Sequence, residues 1–158
     1  MMTPTTKLII LDRDGVINHD SDAFIKSPDE WQVIPGSAQA IARLNQAGYT
    51  VVVATNQSGV ARKLFPMTTL NAIHQKMHAT VEQVGGMIAA VFFCPHCVGD
   101  SLRDLQSGFV LGCIPNLVLT GKGQGTMNKG GLPPGTQIHS DLAAMVDALL
   151  STQIVTTD

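Results

Sequence analysis

Asp12 and Asp14 stand two residues apart, directly after the apolar run Leu8–Ile9–Ile10–Leu11 and just before Gly15. In an extended chain residues i and i+2 point the same way, so both carboxylates can face one site. Two close carboxylates repel each other unless a proton or a cation intervenes. A hard cation such as Mg2+, with oxygen ligands and a substrate phosphate, suits the pair. The chemistry this suggests is phosphoryl transfer, with one Asp as nucleophile and the other as general acid/base. The structural alternative is an N-capping Asp followed by a turn Asp.

Two further stretches carry groups of the same kind. Thr55–Asn56–Gln57–Ser58–Gly59 follows a β-branched run. A hydroxyl, backbone N–H groups and a Gly in one turn suit a phosphate oxygen, although a polar strand-to-loop turn has the same composition. Gly99–Asp100–Ser101–Leu102–Arg103–Asp104 offers an Asp at a strand end that could complete a metal site. A helix N-cap at Asp100 with a solvated Asp104 is the alternative. Each stretch alone says little. All fall at the C-terminal ends of strands, where ligands bind in open α/β sheets, and together they form one candidate site. Arg62, just past Gly59, is a candidate for a second phosphate. His74 and His78 have a possible metal spacing, but no third ligand is evident and a solvated helix face is expected. Lys26 is expected on the surface, and Lys122 and Lys129 in a mobile Gly-rich loop.

The elements that position these residues follow from periodicity. Lys7–Asp12 reads as a buried parallel strand and Thr50–Thr55 as a second. Met87–Phe93 is a third, Val98–Asp100 the end of a fourth, and Asn116–Thr120 a fifth. Helices are expected over Ser37–Ala47, stopped by Gly48, and over Thr68–Val84, with Leu70, Ile73, Met77 and Val81 on one face. A shorter helix opens at Ser101–Gln106, and Ser140 caps a last one ending near Leu150. Gly121–Gly135 and Ser151–Asp158 read as loop and tail. Alternating strands and helices imply a parallel sheet covered on both faces.

One junction fails this pattern. Consecutive parallel strands need a crossover of about a dozen residues or more, yet only Cys94–Pro95–His96 separate the third strand from the fourth. A crossover segment is therefore expected to be missing, most simply between His96 and Cys97, either by a true deletion or because the written chain omits residues of the protein.

At 158 residues the chain suits one domain with a real core, and 44% hydrophobic with 14% charged residues is a globular composition. A net charge of −2 with no basic run argues against nucleic acid as partner. No stretch approaches the roughly 20 apolar residues of a membrane span. The polar start from Met1 to Lys7 is unlike a signal peptide. Three cysteines, Cys94, Cys97 and Cys113, make an odd count that favours a reducing cytoplasm.

The set Asp-x-Asp-Gly, then Thr-Asn-Gln-Ser-Gly, then Val-Gly-Asp-Ser-x-x-Asp resembles the haloacid dehalogenase superfamily of phosphatases. More narrowly, the stretches Asp12–Asn18, Lys26–Trp31, Thr55–Arg62, Phe92–His96 and Val98–Asp104 resemble the D-glycero-D-manno-heptose 1,7-bisphosphate 7-phosphatases. Histidinol-phosphate phosphatases share much of this pattern. The resemblance runs to about Gly121. It implies an α/β, three-layer Rossmann-like fold with a central parallel sheet and no large cap, as a single domain over residues 1–158.

The resemblance also implies roles. Asp12 attacks phosphorus, and Asp14 protonates the leaving sugar oxygen and then activates water. Asp12, the carbonyl of Asp14, and Asp100 hold Mg2+. Thr55 and the turn Asn56–Gln57–Ser58 hold the phosphoryl group, and Asp20, Ser21, Asp22 and Ala23 contact substrate. Cys94 and His96 match half of a structural Zn2+ site. The second half, a Cys-x-Cys pair, is missing, as is the family's Arg-Lys-Pro stretch, whose Lys pairs with nucleophile and phosphate. Both losses coincide with the missing crossover. Cys97 and Cys113 are expected to be core residues. The expected ligand is a small phosphorylated sugar and the expected assembly a monomer.

Overall fold

The structure, a computed structural model, describes residues 7–94, 101–110 and 114–153. Strand β1 (Lys7–Leu11) leads through a long loop to helix α1 (Ser37–Gln46), then β2 (Tyr49–Asn56) and the short α2 (Ser58–Ala61). Helix α3 (Met67–Glu82) and β3 (Ala90–Cys94) follow, then α4 (Ser101–Val110), β4 (Asn116–Val118), α5 (Gly123–Lys129), β5 (Gln137–His139) and α6 (Leu142–Gln153).

Strands β1, β2 and β3 form one parallel sheet in that order, with Leu11 opposite Val53 and Thr55 opposite Phe93. A second parallel pair joins β4 to β5. Because neighbouring strands are parallel, their C-terminal ends lie along one edge, and the loops after β1 and β2 meet there. The β-branched run of β2 supplies Val51 and Val53 to the core, with Ile41 and Leu44 of α1, Ile73, Met77 and Val81 of α3, and Met145 and Val146 of α6. The opposite face of the three-stranded sheet carries Leu8, 51% exposed, Ile10, 49%, and Phe92, 63%.

The expected helices and strands occur within a few residues of their forecast bounds. Gly48 and Gly85 end α1 and α3 with φ of 83° and 79°, the left-handed conformation that glycine adopts without strain. Four expectations need correction. Strand β1 is parallel but not buried, and among the described residues the three-stranded sheet is covered on one face only. The segment after Gly121 is not all loop, because α5 forms within it, with Gly123 packed against the Val118 carbonyl and Thr126 buried. Strand β5 had no signal, since three residues carry too little pattern. Asp141, not Ser140, caps α6: its carboxylate accepts the Ala144 N–H at 2.8 Å. The expected fourth strand ending at Asp100 lies outside the described residues, as does the junction between His96 and Cys97.

The long loop after β1 is held by side chains rather than by strand pairing. Trp31 is 1% exposed, and the Lys76 ammonium of α3 donates to the carbonyls of Pro28 at 2.6 Å and Trp31 at 3.0 Å. The same ammonium sits 5.9 Å from the Trp31 ring centroid, within cation–π range. This anchoring sets where Asp20–Ala23 can lie.

Candidate active site

Past Leu11 the chain leaves the strand and turns sharply. The Arg13 carbonyl accepts N–H bonds from Ile17 at 2.8 Å and Asn18 at 3.2 Å, and Gly15 takes φ of 80°. Asp12 lies at the mouth of this turn, with its Oδ1 accepting the Arg13 N–H at 2.7 Å. Asp14 is held by several donors. Its Oδ1 accepts from Arg13 Nε at 3.1 Å, Arg13 Nη2 at 2.9 Å and Asn18 Nδ2 at 2.9 Å. Its Oδ2 accepts from Arg13 Nη2 and from Gln57 Nε2, each at 2.9 Å.

Gln57 joins this turn to the end of β2. Its Oε1 accepts from Arg13 Nη2 at 3.0 Å, and its Nε2 also reaches Thr55 Oγ1 at 3.0 Å. Thr55 and Gln57 are both buried, while Asn56 and Ser58 are half-buried on the same turn. The structure therefore brings Asp14, Thr55 and Gln57 into one hydrogen-bonded group, with Asp12 at its mouth.

Sequence reasoning missed two members of this group. Arg13 is 1% exposed, and its Nη1 lies 3.3 Å from His74 Nε2. His74 is not on the solvated face expected for want of a third metal ligand, but is 8% exposed beneath Arg13. Burial first, then the Arg13 guanidinium and His78, push its pKa from 6.5 to about 4. A guanidinium has no acceptor, so His74 Nε2 takes the hydrogen bond from Arg13 and the ring proton sits on Nδ1. The signal was present: position 74 lies four residues after Leu70 and three before Met77, at the margin of the apolar stripe.

Asp20, Ser21 and Asp22 line a cleft of about 160 Å3 together with Gly121 and Lys122. Lys122 is not in a free loop. Its ammonium lies 3.7 Å from Asp20 and 3.5 Å from Asp22. The Gly15 and Gly121 backbones touch, and the Thr120 hydroxyl donates to the Gly15 carbonyl, which brings the loop after β4 against the turn after β1. Ala23 is exposed on the same loop, its N–H bonded to Ser21 Oγ at 3.2 Å. Arg62 stacks over Phe24, its guanidinium carbon 5.8 Å from the ring centroid, beside the Asp20–Ala23 loop. Phe24 holds φ of 64°, strained for a side chain of its size. Asp100, His96 and Cys97 lie outside the described residues, as do the side chains of Cys94 and Asp104. Among the described residues no cluster of three or more metal-ligating side chains occurs, and no helix is long and apolar enough to cross a membrane.

Residues 7–110 match the polynucleotide kinase 3 phosphatase family. The chain is 53% identical over 175 residues to the D-glycero-beta-D-manno-heptose-1,7-bisphosphate 7-phosphatase of Bordetella bronchiseptica, covering 91% of this chain and 98% of that one. It is 47% identical over 169 residues to the enzyme of the same name from Neisseria meningitidis serogroup B, covering 86% and 90%. The B. bronchiseptica D,D-heptose 1,7-bisphosphate phosphatase, crystallised with magnesium and phosphate, superposes with a TM-score of 0.90 at 52% identity, covering 93% of this chain and 99% of that one. The D,D-heptose 1,7-bisphosphate phosphatase of Burkholderia thailandensis gives 0.78 at 55% identity, covering 92% and 99%. Coverage of 91% of 158 residues is about 144 residues, so about 31 of the 175 aligned positions in the Bordetella comparison have no counterpart here. These likenesses agree with the strand-end carboxylates: the chain belongs to the polynucleotide kinase 3 phosphatase family and, within the haloacid dehalogenase superfamily, to the heptose 1,7-bisphosphate 7-phosphatases, which are phosphoric monoester hydrolases.

Proposed function

We propose that this chain removes the 7-phosphate of D-glycero-D-manno-heptose 1,7-bisphosphate through a phosphorylated Asp12. The observation that carries this reading is the joined group of Asp14, Gln57 and Thr55 beside Asp12, two carboxylates and a polar turn at one sheet edge, the groups that such a reaction needs. An Asp12 carboxylate oxygen attacks phosphorus as the bond to the sugar oxygen breaks, and Asp14 gives its proton to the departing oxygen. Asp14 then takes a proton from the water that attacks the aspartyl phosphate, which frees Asp12. Thr55 and the Asn56–Ser58 turn hold the phosphoryl oxygens. Asp20, Ser21 and Asp22 accept sugar hydroxyls, Ala23 closes that loop, and Arg62 meets the distal phosphate.

The donor set fits a hard divalent cation. Asp12 brings a carboxylate, and Asp14, its own carboxylate engaged by Arg13, Asn18 and Gln57, offers its peptide carbonyl. Asp100 is the third expected ligand. Mg2+ bound there supplies the charge neutralisation that phosphoryl transfer needs. Zn2+ at Cys94 and His96 remains an expectation from the resemblance. A net charge of −2 favours a sugar phosphate over a polynucleotide, and a cytoplasmic, monomeric enzyme feeding lipopolysaccharide precursors accords with this reading.

The test is phosphate release from heptose 1,7-bisphosphate and from histidinol phosphate, side by side. Preference for histidinol phosphate overturns the substrate. Asp12→Asn abolishes turnover, and retained activity removes Asp12 as nucleophile.

A second reading rests on the unfilled aligned positions and the uncovered sheet face. If the segment between His96 and Cys97 is truly deleted, the family's Lys is gone. Turnover is then roughly 100-fold or more below that of the relatives, from the loss of one electrostatic stabiliser. An intact mass near 16.7 kDa establishes the deletion, and kcat near that of the relatives in such a chain rejects this reading.

A further inference from the structure

We propose that Arg13 is a positioning residue for Asp14: its guanidinium fork, backed by His74 and cross-linked by Gln57, fixes the plane of the Asp14 carboxylate for proton transfer to the leaving sugar oxygen. The proposal rests on the phosphatase reading above and deepens it.

Burying a charge is costly unless it is paired and hydrogen-bonded, and Arg13 is buried to 1% exposure. Its donors are spent on few partners. Nε and Nη2 form a fork on Asp14, at 3.1 Å and 2.9 Å to Oδ1 and 2.9 Å to Oδ2. A planar fork fixes the orientation of a carboxylate as well as its distance. Nη2 also holds Gln57 Oε1 at 3.0 Å, and Nη1 meets the neutral His74 at 3.3 Å. Arg13 is therefore restrained from β2 and α3 while it restrains Asp14. Gln57 extends the restraint to the phosphate side, because its Nε2 donates to both Asp14 Oδ2 and Thr55 Oγ1.

The proton that Asp14 delivers ends on the sugar oxygen as the phosphorus–oxygen bond breaks and the bond to Asp12 forms. A sugar alkoxide is a poor leaving group and needs that proton. A nitrophenolate is a good one and leaves without it. Since kcat/KM reports events only through the first irreversible step, it isolates leaving-group departure from the later hydrolysis.

The experiment measures kcat/KM of the unsubstituted chain, Arg13→Gln and Arg13→Lys on heptose 1,7-bisphosphate and on p-nitrophenyl phosphate, with melting temperatures alongside. Arg13→Lys keeps the charge, so it guards against simple loss of folding. Both variants are expected to lose at least about 30-fold more on the sugar phosphate than on the aryl phosphate, a part of the roughly 100- to 10,000-fold that general acid catalysis contributes. Equal losses on both substrates, or full rescue by Lys, overturn the proposal in favour of a structural ion pair. An unsubstituted chain that leaves the bisphosphate intact overturns the substrate reading, and the proposal falls with it.

Discussion

Arg13 and Asp14 are chain neighbours whose side chains would diverge in an extended strand. They meet because the strand has already ended at Leu11 and the turn folds Arg13 back over Asp14. The consequence reaches His74, which stays neutral beneath the guanidinium, with its pKa lowered from 6.5 to about 4. Between those two values the unfolded chain binds a proton at this residue that the folded chain does not. Stability therefore rises with pH across that window, and the contribution is lost as pH falls from about 6.5 towards 4. His74→Gln is expected to flatten the slope of unfolding free energy against pH in this range. Chemical denaturation at a series of pH values measures it, and an unchanged slope shows that His74 does not carry the effect.

Among the elements, the contact between the turn after β1 and the loop after β4 determines the shape of the cleft. Gly121 has φ of 57°, and a Cβ placed there would stand 2.5 Å from the Gly15 Cα, a backbone atom that cannot swing aside. Gly121→Ala is expected to cost about 2–4 kcal/mol, combining the left-handed penalty with overpacking. It also pushes Lys122 away from Asp20 and Asp22, so KM for the sugar phosphate rises while the ion pairs themselves, being partly exposed, add little stability. Urea unfolding and initial-rate kinetics check both parts. Wild-type stability in the variant would mean that the two loops part without cost.

For the whole molecule, the uneven covering of the three-stranded sheet stands out. One face packs on α1, α3 and α6, whereas Leu8, Ile10 and Phe92 on the other are roughly half to two-thirds exposed. Burying each such side chain contributes about 1.5–3 kcal/mol. The roughly 31 unmatched aligned positions, with the crossover that the sequence leads one to expect near His96 and Cys97, offer a reason for the bare face. Grafting the corresponding segment of the Bordetella relative between His96 and Cys97 is expected to raise the melting temperature by several degrees, since about 1 kcal/mol shifts Tm by about 2–8 °C in domains of this general size. It also lowers binding of a hydrophobic dye. A graft that changes neither shows that the segment does not cover this face.

The residues of the candidate site could be read from the chain because alternating strands and helices force a parallel sheet, and a parallel sheet gathers its strand ends. Asp12, Asp14, Thr55 and Gln57 needed no more than that. Arg13 with Gln57, Arg13 with His74, and Lys122 with Asp20 and Asp22 belong to the tertiary structure alone. Arg13 lies 44 positions from Gln57 and 61 from His74. Helical or strand periodicity relates only near neighbours, so contacts over such separations arise when α3 and the loop after β4 pack against the turn. The order of elements placed the carboxylates and the polar turn at one sheet edge; how Asp14 is held there was decided only when those distant segments closed around it.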